Sequence, residues 1–98
     1  MAESANKKCV HLMVEGAVQG VGFRYFTWQK ASELHIAGWV RNRMDGNVEI
    51  VAEGSETAIE RFTAAIKKGS PFSHVENVDV YVYDHSKHFT TFDVVSSL

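Results

Sequence analysis

The sequence predicts an α+β fold in which two helices cover one face of a mostly antiparallel β-sheet. Apolar residues fall on alternate positions in several short segments, which is the periodicity of strands. In two longer segments they recur every three to four positions, which is the periodicity of helices. The segments follow the order β-α-β-β-α-β, with a short strand added near the C-terminal end. A chain of 98 residues suits one domain with a single core.

The N-terminal third contains a strand, a glycine-rich segment and a helix. Apolar and polar residues alternate over residues 9–15, which predicts a strand. Three glycines follow within residues 16–22, and residues 23–34 then carry an apolar stripe at helical spacing. Residues 1–8 are polar and have little to bury, so we expect a flexible tail before a single domain over residues 9–98.

A β-hairpin follows the first helix. Residues 36–41 are apolar and partly β-branched, and residues 47–53 alternate again, so both segments are predicted as strands. Between them lies Asp45-Gly46, a pair that tight hairpin turns favour because their central residues adopt positive φ.

The C-terminal half is predicted to contain a second helix and two further strands. Ser55 is a suitable N-cap because its hydroxyl can accept a hydrogen bond from a free N–H of the first turn. An apolar stripe over residues 59–66 predicts the buried face, and Gly69 is typical of a helix end. Strands are predicted over residues 78–82 and 92–94. This order of elements is that of the ferredoxin-like sandwich, which supports many unrelated functions.

The composition argues against several classes of function. The net charge of −2 and the isoelectric point near 6.2 give no electrostatic reason to expect nucleic acid or an anionic membrane as partner. No apolar run approaches the ~20 residues of a membrane span, and the N-terminal residues lack the apolar stretch of a signal peptide. Cys9 stands alone and cannot form an internal disulfide. We therefore expect a cytoplasmic protein, and nothing in the sequence favours more than a monomer.

Residues 16–24 have the composition of an anion-binding loop. They join a strand to the start of a helix, where backbone N–H groups converge and the helix adds partial positive charge. Arg24 adds a permanently charged guanidinium group, which can donate two parallel hydrogen bonds to a pair of phosphate oxygens. The spacing fits neither a Walker A loop nor a dinucleotide-binding fingerprint. On these grounds alone, a plain strand–helix turn with its arginine in solvent is an equally good explanation.

Other polar and aromatic residues give weaker signals. No two histidines have the i, i+4 helical spacing of a metal site, so we expect no metal at His11, His35, His74, His85 or His88. Glu49 and Glu53 alternate on what we predict to be the solvent-facing side of the hairpin. Asn42 alone is typical of a strand end. Five aromatic residues are expected to pack in the core or support the loop: Phe23, Tyr25, Phe26, Trp28 and Trp39.

Two motifs resemble the signatures of acylphosphatases. The first reads Val14-x-Gly16-x-Val18-Gln19-Gly20-Val21-x-Phe23-Arg24. The second reads Gly38-Trp39-Val40-Arg41-Asn42, followed at the expected spacing by Gly46-x-Val48 and by Gly54. Two motifs at the correct separation are far more specific than either one. The resemblance continues through the second helix to Gly69-Ser70-Pro71 and so covers most of the chain.

The resemblance implies metal-independent and cofactor-independent hydrolysis of the carboxyl–phosphate bond of acyl phosphates. By position, Arg24 matches the family's phosphate-binding arginine and Asn42 its water-orienting asparagine. The family's phosphate cradle corresponds to the backbone amides of Gln19, Gly20, Val21, Gly22, Phe23 and Arg24. Neither motif contains a general base, which fits a mechanism in which a substrate oxygen takes the proton of the water. Arg41 stands where lysine is frequent, and the ending over residues 94–98 favours a bacterial-type member.

Three rival functions are considered. Residues 22–26 resemble the aromatic strand of an RNA-recognition motif, but here they enter a helix and the net charge is negative. A non-catalytic phosphate sensor would keep Arg24 and the loop but would have no use for Asn42. The chain could also be one part of a larger carbamoyl-transfer protein, but it ends at Leu98, so we expect a free-standing enzyme.

Overall fold

The computed structural model describes residues 7–96, which form a five-stranded sheet with two helices packed on one face. The elements are β1 (Lys7–Ala17), α1 (Phe23–Glu33), β2 (Ala37–Asn42), β3 (Val48–Ser55), α2 (Glu56–Lys68), β4 (His74–Val82) and β5 (Phe92–Val94). The strand order is β4-β1-β3-β2-β5, and every pair is antiparallel except β2 with β5. The predicted α+β class and ferredoxin-like order are confirmed.

Alternate strand residues point toward the helices and form the core. On β1 these are Val10, Leu12 and Val14, all fully buried. The stripe of α2 faces them as predicted, through Ile59, Phe62 and Ile66. Full burial of one such side chain stabilises the fold by about 1.5–3 kcal/mol. The sheet and both helices therefore share one core, which fixes the strand ends that carry the polar residues described below.

Both ends of α2 are capped as the sequence predicts. The Ser55 hydroxyl accepts a hydrogen bond from the N–H of Ala58 at 3.1 Å. At the other end, the N–H of Gly69 donates to the Ala65 carbonyl at 3.0 Å. These bonds satisfy backbone groups that the helix itself leaves without partners.

The turn of the β2–β3 hairpin differs from the predicted one. The N–H of Arg43 donates to the Asn47 carbonyl at 2.9 Å, and the N–H of Gly46 donates to the Arg43 carbonyl at 3.2 Å. The loop therefore holds three residues, and only Gly46 adopts positive φ, at 92°. The prediction of positive φ at Asp45 is wrong, because its carboxylate instead accepts from the N–H of Asn47 at 3.0 Å.

The sheet face opposite the helices is partly covered, so the prediction that Glu49 and Glu53 face solvent is wrong. β4 and β5 lie at opposite edges of the sheet, and residues 83–91, here called the crossing segment, connect them. Glu53 is 3% exposed and accepts hydrogen bonds from the Ser86 hydroxyl and the Phe89 N–H. Glu49 is 9% exposed, because basic side chains enclose it.

Two strands begin earlier than predicted. β1 starts at Lys7, so two residues of the predicted tail pair with β3, while residues 1–6 lie outside the described part of the chain. β4 starts at His74, four residues before the predicted position, and pairs with the end of β1. Within residues 7–96, no helix has the length and apolar character needed to cross a membrane.

Candidate active site

A cavity of about 300 Å³ opens where β1 leads into α1 and where β2 ends. Its lining comes from the loop between β1 and α1, the first turn of α1, β2 and β5. The lining residues are Val18, Gly20, Gly22, Phe23, Arg24, Tyr25, Asn42 and Val94. The fold therefore brings together Arg24 and Asn42, the two side chains singled out by the sequence motifs.

The β1–α1 loop (residues 18–22) is shaped by two glycines in left-handed conformations. Gly20 has φ 74°, and Gly22 has φ 77° and ψ 18°. A Cβ at either position would meet nothing within 4 Å, so the backbone conformation and not lack of space favours glycine. Gly22 is also the N-cap of α1 and offers no side chain to the first turn. The N–H groups of that turn are therefore left for an anion.

The predicted phosphate cradle is only partly represented in the cavity lining. Four of its residues contribute, namely Gly20, Gly22, Phe23 and Arg24. The other two are not lining residues. Val21 packs against the hydrophobic core, and the side chain of Gln19 turns toward the β2–β3 hairpin.

Arg24 projects from the first turn of α1. Its Nη1 donates to the Val95 carbonyl at 3.4 Å, which is a long hydrogen bond. The preceding residue, Phe23, is buried in the core and fixes the start of the helix. Arg24 and the N-terminal residues of α1 line the same cavity, so the guanidinium charge and the positive helix end both act on it.

Asn42 is the last residue of β2 and pairs with Val48 of β3. Its Oδ1 is buried and accepts no hydrogen bond from any residue that the structure describes. A buried carbonyl oxygen left without a donor destabilises a protein by about 1–3 kcal/mol. Asn42 also lines the cavity, so rotation of its carboxamide would bring this unpaired acceptor to the cavity surface, where a water or a ligand could donate to it.

Basic side chains near the cavity are already engaged by Glu49. We call His11, Arg41, Arg43 and Glu49 the Glu49 cluster. The carboxylate lies 2.7 Å from His11 Nε2, 2.8 Å from Arg41 Nη2 and 3.4 Å from Arg43 Nη1. Burial raises the pKa of Glu49, but the hydrogen bonds from His11 and Arg41 outweigh it and hold this pKa below its usual value. None of the four residues is part of the cavity lining.

The aromatic residues of α1 divide between the core and the surface. Phe23 is buried and Phe26 packs against the core, as expected. Tyr25 is 64% exposed and Trp28 is 38% exposed, so neither packs in the core, and Tyr25 lines the cavity together with the loop glycines. Their rings stack with centroids 5.7 Å apart. A helical wheel would have predicted this exposure, because Tyr25 and Trp28 lie away from the face of α1 that buries Phe23.

The remaining histidines are not gathered into a metal site. Within residues 7–96, no three side chains among His, Cys, Asp and Glu are arranged to hold an ion. His85 forms an exposed pair with Asp84 at 2.7 Å. His88 lies in the crossing segment, and its ring approaches the Ser86 hydroxyl.

The sequence and the fold both resemble known acylphosphatases. Residues 10–94 match the family model described as "Acylphosphatase". The acylphosphatase of Bacillus velezensis is 48% identical over 84 residues, which are 86% of this chain and 93% of that protein. The crystal structure of acylphosphatase from Bacillus subtilis has a TM-score of 0.87 and 45% identity, covering 90% of this chain and 98% of that one. An acylphosphatase structure from Coxiella burnetii has a TM-score of 0.88 and 36% identity, covering 95% and 97%.

Proposed function

The chain belongs to the acylphosphatase family, whose members act on small acyl phosphates, and we propose how this member performs the reaction. It hydrolyses the carboxyl–phosphate bond to a carboxylate and inorganic phosphate without a metal ion. Arg24 and the backbone amides of residues 19–24 hold the phosphate. Asn42 places a water in line with the leaving carboxylate.

Positive charge in the cavity lining supports the phosphate site. Arg24 lines the cavity beside the N-terminus of α1, whose free N–H groups favour an anion. Charge-assisted hydrogen bonds from a guanidinium and from amides are stronger than neutral ones. These donors also stabilise the equatorial oxygens as the bond to the leaving group loosens.

The observation that carries the proposal is the buried Oδ1 of Asn42, which accepts no hydrogen bond from the described residues. Asn42 itself lines the cavity, so a rotation of its carboxamide that exposes this oxygen lets it hold a water at the cavity wall. The carboxamide adds no charge, so it does not repel the phosphate dianion. A carboxylate at this position would also accept from the water but would oppose binding of the anion.

The reaction can be balanced without a general base from the protein. The water oxygen forms a bond to phosphorus while the bond between phosphorus and the acyl oxygen breaks. The bonding electrons leave with the carboxylate, and a phosphate oxygen takes the proton of the water. The lining residues of the cavity include no histidine, aspartate or glutamate that would compete for this role.

The apolar part of the lining suits the acyl group. Tyr25 and Val94 are exposed and lie at the rim of the cavity that holds Arg24 and Asn42. Small-molecule sites are typically lined by apolar side chains together with a few polar groups that fix the orientation of the ligand. We therefore place the phosphate against the loop and the acyl group against this rim.

Hydrolysis of benzoyl phosphate with EDTA present tests the proposal. The wild type should turn over, and Asn42→Ala should lower kcat by about 100-fold or more, as removal of one transition-state contact does in other enzymes. Inhibition by inorganic phosphate should be nearly unchanged in the variant, because Arg24 and the loop remain.

Asn77→Ala is the matched control, since Asn77 is exposed on β4 and is not a lining residue of the cavity. Equal loss of phosphate binding and turnover in Asn42→Ala would contradict the role of Asn42. A wild type that binds phosphate but does not hydrolyse benzoyl phosphate would favour the sensor. Dependence on added metal would contradict the metal-independent mechanism.

We further propose that the predicted domain of residues 9–98, extended by Lys7 and Lys8 of β1, acts as a single unit, as a monomer and in the cytoplasm, without nucleic acid or membrane as partner. The buried, unpaired thiol of Cys9 suits a reducing compartment. Sedimentation of the full chain at micromolar concentration should give the mass of one copy. A stable dimer would contradict the monomer.

A further inference from the structure

The side chain of Gln19 joins the β1–α1 loop to the β2–β3 hairpin. Its Nε2 donates to the Arg43 carbonyl at 2.7 Å and to the Asn47 carbonyl at 2.8 Å. Both distances are at the short end of the range for N–H···O hydrogen bonds. The residue that precedes Arg43 is Asn42, so the loop is tied directly to the end of β2.

This pair of bonds is the direct hydrogen-bonded link between the two parts of the site. β1 pairs with β3 through Val14 and Val48, but the loop leaves the sheet after Ala17. Among the hydrogen bonds formed within residues 7–96, those of Gln19 are the ones that connect residues 18–22 to the hairpin turn. Core packing of Val18 and Val21 also holds the loop, and Gln19 adds the hydrogen bonds that fix its separation from the turn.

We propose that Gln19 is a positioning residue that sets the distance between the bound phosphate and the water on Asn42. This inference rests on the proposed function, because it concerns how its two parts are aligned. The phosphate is held by the loop, and the water by the end of β2. In-line attack requires that the water and the phosphorus atom are correctly aligned. A misplacement of about 1 Å can lower a rate about 100-fold.

The chemistry of the position explains why glutamine fits it. A carboxamide nitrogen carries two hydrogens, and both are used here, one for each carbonyl. Methionine has a similar length but donates nothing. Asparagine donates twice but is one methylene shorter.

The test compares Gln19→Met with Gln29→Met. Gln29 is exposed on α1 and is absent from the cavity lining, so its replacement is the matched control. Benzoyl phosphate is the substrate and inorganic phosphate the competing ligand. Gln19→Met should lower kcat by about 10-fold to 100-fold. Its inhibition constant for phosphate should change by less than about 3-fold, because the cradle itself is intact.

This division between kcat and phosphate affinity separates positioning from a structural role. Unchanged kcat in a folded Gln19→Met would overturn the proposal. A parallel loss of phosphate affinity and kcat would also overturn it, because Gln19 would then serve the cradle alone. If the wild type itself fails to hydrolyse benzoyl phosphate, the proposed function fails; a kcat loss confined to Gln19→Met leaves that function intact.

Nuclear magnetic resonance of the wild type keeps the proposal testable if Gln19→Met does not fold. The side-chain amide hydrogens of Gln19 should exchange with solvent more slowly than those of Gln29. Scalar couplings through the hydrogen bonds should connect Gln19 Nε2 to the carbonyl carbons of Arg43 and Asn47. Fast exchange like that of Gln29, without these couplings, would overturn the link.

Discussion

Arg24 and Asn42 meet at one cavity but contribute different properties. Arg24 brings permanent charge beside the N-terminus of α1. Asn42 brings a neutral acceptor that is buried and without a donor among the described residues. The first property serves every state of the phosphate, whereas the second serves the water alone. Their replacement should therefore affect binding and turnover in different ways.

Replacement of Arg24 should impair phosphate binding as well as turnover. In Arg24→Gln the charge and the forked donor are lost, so we expect phosphate affinity to fall by about 10-fold or more, on the scale of charged hydrogen bonds. Inhibition by phosphate and kcat for benzoyl phosphate measure both effects. Arg61→Gln, at an exposed position of α2, is the control. Full phosphate affinity in Arg24→Gln would place the anion elsewhere.

At the residue scale, the motifs identify Arg24 and Asn42, and the fold brings these two together. The motifs do not identify Tyr25 as a cavity residue. Its position on the exposed face of α1 could nevertheless have been predicted from the helical wheel. Val94 could not be predicted, since it reaches the cavity through the pairing of β5 with β2. The side-chain bonds of Gln19 also depend on a hairpin 24 and 28 positions away.

At the scale of elements, capping of α2 should contribute to stability but not to chemistry. Ser55→Ala removes the hydrogen bond to the Ala58 N–H, so the free energy of unfolding should fall by about 1 kcal/mol. Urea denaturation measures this change, and kcat should stay near that of the wild type because α2 contributes no lining residue. Ser55→Asp keeps an acceptor and should retain most of the stability. Equal loss in both variants would contradict the capping role.

Periodicity predicts every helix and strand of the described chain, because burial of alternate or helically spaced residues is a local pattern. The ends of β1 and β4 are less predictable, since pairing with a neighbour extends a strand beyond its apolar residues. The alternation also misplaces Glu49 and Glu53 in solvent. Their cover comes from the crossing segment and from the Glu49 cluster, which the hairpin sequence does not reveal.

At the scale of the whole molecule, the buried carboxylates of Glu49 and Glu53 should make the free energy of unfolding depend on pH. Burial raises the pKa of Glu53, but hydrogen bonds from Ser86 and Phe89 outweigh it and lower this pKa, as the ion pairs do for Glu49. The unfolded chain therefore takes up protons that the folded chain does not. The stability due to these groups is present above the ordinary glutamate pKa of about 4.3 and is lost as pH falls through the lower folded values.

Chemical denaturation at pH 7 and pH 4 tests this dependence. The difference in unfolding free energy between the two should be smaller in Glu53→Gln than in the wild type, because one of the linked groups no longer titrates. Glu60→Gln, exposed on α2, should keep the difference of the wild type. An unchanged difference in Glu53→Gln would show that Glu53 does not contribute.

The position of β5 has a consequence for the order in which the protein matures. Arg24 donates to Val95, 71 positions away, and Val94 lines the cavity beside Asn42. Docking of β5 against β2 must therefore precede a complete site, and pairing across so long a stretch is slow because the chain loses entropy before contacts form. A nascent chain whose β5 is still inside the ribosomal exit tunnel has its glycine loop and hairpin but lacks the finished pocket. Because Phe92 of β5 also packs against the core, we expect catalysis during refolding to recover only when this edge strand has docked.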